Sequence, residues 1–272
     1  MKERGAVDRG GAARHAAIMD TVAVVPCLDM KDGRVVKGVH FVALRDAADP
    51  VEAAQAYSDG GADELAFLDI TATVEKRRTM FDVLERVTAA VRVPVTVGGG
   101  IRSLADVEQA LASGARRVSI SSAAYRDRAF VREASRRFGP ETIVVAIDAD
   151  VNERLASRRE VYIDGGRTAT GTDAVAFARE MADAGAGRIL PTSKTADGTR
   201  LGYDLELTRA IADATGLPVI ASGGAGSLEH FYLAVTEGHA RAVLGASVFH
   251  FGTLTIGEVK EYLHDKGVPV RL

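Results

Sequence analysis

Short apolar runs rich in β-branched residues recur along the chain, each followed by a longer stretch whose apolar positions fall three and four apart. The first pattern is that of a strand buried on both faces, and the second that of a helix with one apolar side. Eight runs read as strands: Val22–Leu28, Glu64–Asp69, Pro94–Val97, Arg117–Ser121, Thr142–Asp148, Arg188–Thr192, Pro218–Ser222 and Arg241–Gly245. Val51–Tyr57 and Leu104–Leu111 show the helical spacing between them. Such alternation is the sequence form of βαβ units around a parallel sheet. Eight strands at a spacing of about 30 residues favour closure into an α/β barrel of the (β/α)8 type over an open doubly wound sheet. No linker breaks the pattern, so residues 21–272 are expected to form one barrel domain.

In such barrels the chemistry sits at the carboxyl ends of the strands. That rule narrows the candidates to Asp29, Asp69, Gly98 to Gly100, Ser121, Ser122, Asp148, Thr192, Ser193, Gly223, Gly224, Ala246 and Ser247.

The two halves of the chain read as copies of each other. Pro94-Val-Thr-Val-Gly-Gly-Gly100 returns 124 residues later as Pro218-Val-Ile-Ala-Ser-Gly-Gly224, and the same displacement carries Gly61 onto Gly185 and Gly114 onto Gly238. Val25-Pro-Cys-Leu-Asp29 returns 119 residues later as Val144-Val-Ala-Ile-Asp148. Each half closes its third strand with adjacent glycines and its fourth with small or hydroxyl residues, Ser121-Ser122-Ala123 and Gly245-Ala246-Ser247. Glycines admit phosphate oxygens close to the backbone, and a following helix offers unpaired N–H groups. Tight turns alone also account for a single Gly-Gly pair; two at matching positions point to two phosphate sites and a long substrate with a phosphate at each end.

Asp29 and Asp148 occupy equivalent positions, so the repeat predicts that they face each other across the barrel mouth. A carboxyl at the end of an apolar strand tends toward a raised pKa, and two in different surroundings suit a general acid and a general base. Helix capping, or pairing with Lys31 or Lys37, is the plainer alternative. Asp69 and Asp197 are supporting candidates, since Asp197-Gly198 is also ordinary turn chemistry. Lys37, in the loop Lys31-Asp-Gly-Arg-Val-Val-Lys37-Gly38, suits a residue that closes over a substrate charge, and equally a solvated loop lysine.

Composition then excludes other classes. The formal net charge is −3, with 47% hydrophobic and 26% charged residues. These values fit a globular chain without the basic field that holds nucleic acid. No run approaches the roughly 18 apolar residues of a membrane span. The single cysteine, Cys27, lies in an apolar run and reads as a buried strand thiol, and no Cys/His spacing suggests a metal. A cytoplasmic protein without cofactor is expected. Residues 1–20 mix Arg, Gly, Ala and acids and read as a tail.

The motifs CLDMKDGRVVKG (Cys27–Gly38), DELAFLDITAT (Asp63–Thr73), VGGGIRS (Val97–Ser103), VVAIDA (Val144–Ala149), ASGGAGSLEHF (Ala221–Phe231) and GASVFHFG (Gly245–Gly252) resemble the cyclase subunit of imidazole glycerol phosphate synthase. The resemblance runs from about residue 22 to the carboxyl terminus. It implies a TIM barrel lyase of histidine biosynthesis. Such an enzyme converts a bisphosphorylated ribulosyl formimino intermediate and ammonia into imidazole glycerol phosphate and an aminoimidazole carboxamide ribotide.

The resemblance assigns Asp29 as general acid, Asp148 as general base and Lys37 to the closing loop. It places one phosphate at Gly100, Ser121 and Ser122 and the other at Gly198, Gly224, Ala246 and Ser247, with Asp197 assisting near the second. Thr192, at the end of its strand, is a further substrate-binding candidate from its position alone. It also implies a glutaminase docked at the amino-terminal face, with ammonia passing a ring of Arg, Glu, Lys and Glu. Here the ring positions read Ala23, Glu64, Arg117 and Arg188, which stands against that partner. Ser121, His40, Pro191 and Lys194-Thr195 depart from the family pattern too, and point to a paralogue serving another pathway or nitrogen source.

Overall fold

The computed structural model describes residues 21–31, 34–39, 42–69 and 76–272; the side chains of 31–34, 36–48, 69 and 76–79 fall outside that description. Parallel strands β1 (Ala23–Lys31), β4 (Leu65–Asp69), β5 (Val95–Gly98), β6 (Arg117–Ile120), β7 (Ile143–Val151), β10 (Arg188–Ser193), β11 (Ile220–Ala221) and β12 (Ala242–Gly245) follow one another around a barrel. Two antiparallel ribbons rise from it: β2 (Arg34–Val39) with β3 (Val42–Ala48), and β8 (Arg159–Ile163) with β9 (Thr168–Asp173).

The eight expected strands are all present. Strands β1 and β7 extend furthest beyond the expected runs, which ended at Leu28 and Asp148, because their carboxyl ends pair antiparallel with β2 and β8. Each half of the barrel therefore consists of four parallel strands with a ribbon on the first. This repeats the sequence symmetry at the level of topology. Residues 1–20, read as a tail, lie outside the described residues.

One seam is thin. Strands β10 and β11 are joined by two isolated bridges, Ile189–Val219 and Thr192–Ser222, instead of a ladder. The Ile189 N–H donates toward β11, to the Pro218 carbonyl at 3.2 Å. Two residues further on, the next backbone N on that side belongs to Pro191, which has no hydrogen to give. Pro191 thus shortens β11 to two residues.

The helices cover the outside. Those named here are α1 (Pro50–Asp59), α2 (Lys76–Ala90), α3 (Leu104–Ala112), α4 (Ser122–Arg126), α5 (Arg128–Phe138), α6 (Ala174–Asp183), α7 (Leu205–Thr215), α8 (Leu228–Thr236), α9 (Ser247–His250) and α10 (Ile256–Asp265). Side chains of Asp49, Ser103, Asp127, Asp173 and Asp204 accept from first-turn N–H groups, and Thr255 with Glu258 forms a capping box. Each such cap contributes about 1 kcal/mol.

Buried side chains form two shells. The outer one, including Leu28, Leu65, Phe67, Leu84, Phe177 and Phe231, fills the space between strands and helices. The inner one is small: Val25, Cys27, Ala66, Val144, Leu190, Ile220, Ala242 and Leu244. Since side chains alternate across a strand, membership of this inner cluster fixes which residues point along the barrel axis.

Candidate active site

On β1, Val25 and Cys27 belong to the inner cluster, so Asp29 continues the same face at the carboxyl end. On β7, Val144 and then Ala146 pack inward, and Asp148 follows them. Three strands separate β1 from β7 in either direction around the barrel, which sets the two aspartates on opposed walls of the mouth, as the repeat predicted. Asp29 accepts a hydrogen bond from the Cys27 thiol at 3.3 Å, so the buried cysteine buttresses an acid of the mouth. Asp148 titrates near 6: burial pushes its carboxyl up, the nearby Asp197 carboxylate adds to that, and Lys194 pulls the other way.

The second expected phosphate site is assembled as a cleft. Asp197, Gly198, Gly223, Gly224, Ala246 and Ser247 line it together with Arg200, Ala225 and Leu244. Gly224, at φ +103°, cannot be replaced locally: a Cβ there would lie 2.0 Å from the Gly202 carbonyl oxygen. The same close approach lets the Gly202 N–H donate to the Gly224 carbonyl at 2.8 Å, which ties the loop after β10 to the loop after β11. Arg200 was not among the expected residues. Its signal was a basic side chain inside the turn Asp197-Gly-Thr-Arg-Leu-Gly202, and its left-handed backbone (φ +63°) holds it at the cleft with its guanidinium 5.6 Å above the Phe251 ring.

The first expected site lies on the neighbouring strands β5 and β6. Gly99 and Gly100 follow β5 with φ of +93° and +70°. Ser121 precedes α4 with φ −112° and ψ −100°, close to the −119° and −77° of Ala246 before α9, and neither helix start has a side-chain cap. The repeat thus extends to backbone conformation. Ser122 accepts a hydrogen bond from the Asp164 N–H at 2.9 Å, which brings the β8–β9 ribbon over this site. Thr192 lies elsewhere: buried, and level with Asp148 in the β7–β10 ladder. Lys37 sits on β2, paired with Arg45, and its side chain and that of Asp69 lie outside the described residues, as does His40 altogether.

At the other end of the barrel interior, Glu64 is buried with two guanidinium groups on one carboxylate oxygen. Arg117 Nη1 donates to Oε2 at 2.7 Å and Arg188 Nη1 at 3.0 Å, while the Thr96 hydroxyl donates to Oε1 at 2.5 Å. Glu64 precedes β4 and Arg188 opens β10, which stand on opposite sides of the barrel, so this ion pair crosses the axis. Arg117 Nε is buried with no acceptor among the described residues. Burial draws the Arg117 guanidinium below its ordinary pKa; Glu64 opposes this, and the nearby Arg188 and Arg116 reinforce it.

A family model described as histidine biosynthesis protein matches residues 23–255. The chain belongs to that family. Histidine biosynthesis proteins of this family are TIM-barrel enzymes and include a sugar isomerase as well as the cyclase. Among the described residues, no helix of this family member is long and apolar enough to cross a membrane.

Proposed function

We propose that this histidine biosynthesis family member is the cyclase-type lyase. It would join ammonia to a bisphosphorylated ribulosyl formimino intermediate and release imidazole glycerol phosphate and an aminoimidazole carboxamide ribotide. The observation that carries this reading is the pair of opposed carboxyls, Asp29 and Asp148, set between two matching glycine and small-residue sites. A substrate anchored by a phosphate at each end would lie across the mouth with its reacting atoms between the acids. Condensing ammonia with a ketone and expelling water requires a proton delivered to the departing oxygen and another removed from nitrogen. Asp29 serves as the acid and Asp148 as the base. The sequences Lys31–Gly38 and Asp69–Thr73 favour the cyclase over the isomerase of the same family. Lys37 would meet a substrate charge from β2.

Ammonia from solution is the nitrogen donor in this reading. The Arg188–Glu64 pair across the axis supports it, since it occupies the passage that a glutaminase on the amino-terminal face would use. The same pair, with Ala23 and Ser121, favours a second reading: a cyclase-like paralogue acting on a related bisphosphorylated substrate of a specialised pathway. A binding subunit without activity is the third.

Purified protein incubated with the ribulosyl intermediate and ammonium salt separates them. Formation of both monophosphorylated products establishes the cyclase. Conversion of the aldose precursor to the ketose without ammonium identifies the isomerase, and folded protein inert to both substrates moves the assignment to the paralogue or the binding subunit.

A further inference from the structure

Lys194 follows the last residue of β10, where its N–H donates to the Ala149 carbonyl at 2.9 Å. Alternation along β10 puts it on the same face as Thr192, and alternation along β7 puts Asp150 on the same face as Asp148. The ribbon adds a third wall, because Tyr162 of β8 stands directly opposite Asp148 in the antiparallel register. Within this corner the Lys194 ammonium lies 3.6 Å from the centre of the Tyr162 ring and 3.5 Å from Asp150 Oδ2. The Thr195 hydroxyl donates to Asp150 Oδ1, fixing that carboxylate. The bare backbone of Gly166, at φ +74° in the β8–β9 turn, closes over the lysine stem: a Cβ there would sit 3.3 Å from Lys194 Cδ and Cε. A lysine at a barrel rim normally samples many rotamers, and this one is clamped by a ring, a carboxylate and a glycine.

We propose that Lys194 is a positioning residue, held by Asp150, Tyr162 and Gly166 so that its ammonium stands beside Asp148 and keeps that carboxylate in its proton-accepting form. The proposal rests on reading Asp148 as the base. Among the described residues, the charged and titratable groups around Asp148 are Asp150 on its own strand, Tyr162 with Glu160 beyond it on β8, and Lys194 and Asp197 after β10. Burial and Asp197 disfavour the ionised carboxyl, and Lys194 opposes them. Among the described groups just named Lys194 is the cation, and a nearby opposite charge holds a carboxyl pKa down, by about one unit or more when it is close.

The direct test is a 13C NMR titration of carboxyl-labelled aspartates in protein without substrate, the Asp148 resonance being assigned with Asp148→Asn. In Lys194→Met the Asp148 midpoint should rise by about one pH unit from its wild-type position near 6, and Lys194→Arg should restore it. A midpoint unchanged in Lys194→Met, or one that Lys194→Arg does not restore, overturns the proposal. This readout does not depend on turnover, so an inactive wild type counts against the cyclase reading and leaves the positioning role to the titration. With an active wild type, Lys194→Met should lose about five-fold in kcat near pH 6 and recover above pH 8, as a base titrating about one pH unit higher requires. A uniform loss at every pH would contradict the role.

Discussion

The two ends of the barrel interior treat buried charge in opposite ways. At the amino-terminal end, Glu64 receives hydrogen bonds from Arg117, Arg188 and Thr96, two of them from guanidinium groups. At the carboxyl-terminal end, Asp148 stands near a second carboxylate, Asp197, and burial pushes its titration up to about 6. The first arrangement stabilises the fold as long as it is complete. The second holds a group in a state that the fold disfavours, which is the condition for proton transfer near neutral pH. One sheet thus carries an ion-paired end and, in the proposed reading, a reactive end, and single substitutions should have opposite consequences at the two.

The largest difference should appear in activity. Asp29→Asn and Asp148→Asn are each expected to lower kcat for the ammonia-dependent reaction by about 10²-fold to 10⁴-fold, the usual range for loss of a general acid or base. Turnover retained in either variant would remove that residue from the chemistry. Glu64→Gln should leave the substrate sites in place but strand two guanidinium groups beside a neutral amide. A loss of about 3–5 kcal/mol in unfolding free energy by denaturant titration is expected, as for other broken buried pairs.

The glycines sharpen the contrast within the reactive end. Gly224→Ala drives a methyl group against the Gly202 carbonyl and should reduce stability by about 2–3 kcal/mol and weaken binding of inorganic phosphate or a phosphorylated product. Gly216→Ala, at φ +64° with open space around it, carries only the backbone penalty of about 1 kcal/mol. Equal losses from the two would mean that the close approach at Gly224 is not maintained in solution.

How far these features could be read from the sequence depends on whether they are local. Apolar runs located all eight barrel strands, since burial on both faces leaves a continuous signal, and the half-barrel repeat located Asp29, Asp148 and both glycine sites. The ribbons were missed because β2, β3, β8 and β9 carry mixed polar sequence, such as the largely exposed Thr168–Asp173, which leaves no apolar alternation. Pro191 was legible as a departure, but its effect on β11 depends on which neighbour each backbone N–H faces. Arg200 and Lys194 acquire their positions from long-range partners, Phe251 for one and Asp150, Tyr162 and Gly166 for the other. Thr192 was read as a strand-end residue, and the register that sets it beside Asp148 depends on a neighbouring strand.

The comparison between the two ends is tested most directly by the pH dependence of stability in Asp148→Asn. An acid whose folded pKa is raised binds protons more tightly in the folded chain, so stability falls as pH rises from about 4 to 6, and the full loss then persists unchanged above that range. Replacing it with an amide should therefore stabilise the protein at pH 7.5 by about 1–3 kcal/mol, since a tenfold change in proton affinity is worth about 1.4 kcal/mol. The gain should fade as pH falls through 6 toward 4. A variant less stable than wild type at pH 7.5, in step with Glu64→Gln, would contradict the account and place Asp148 among the groups that hold the barrel together.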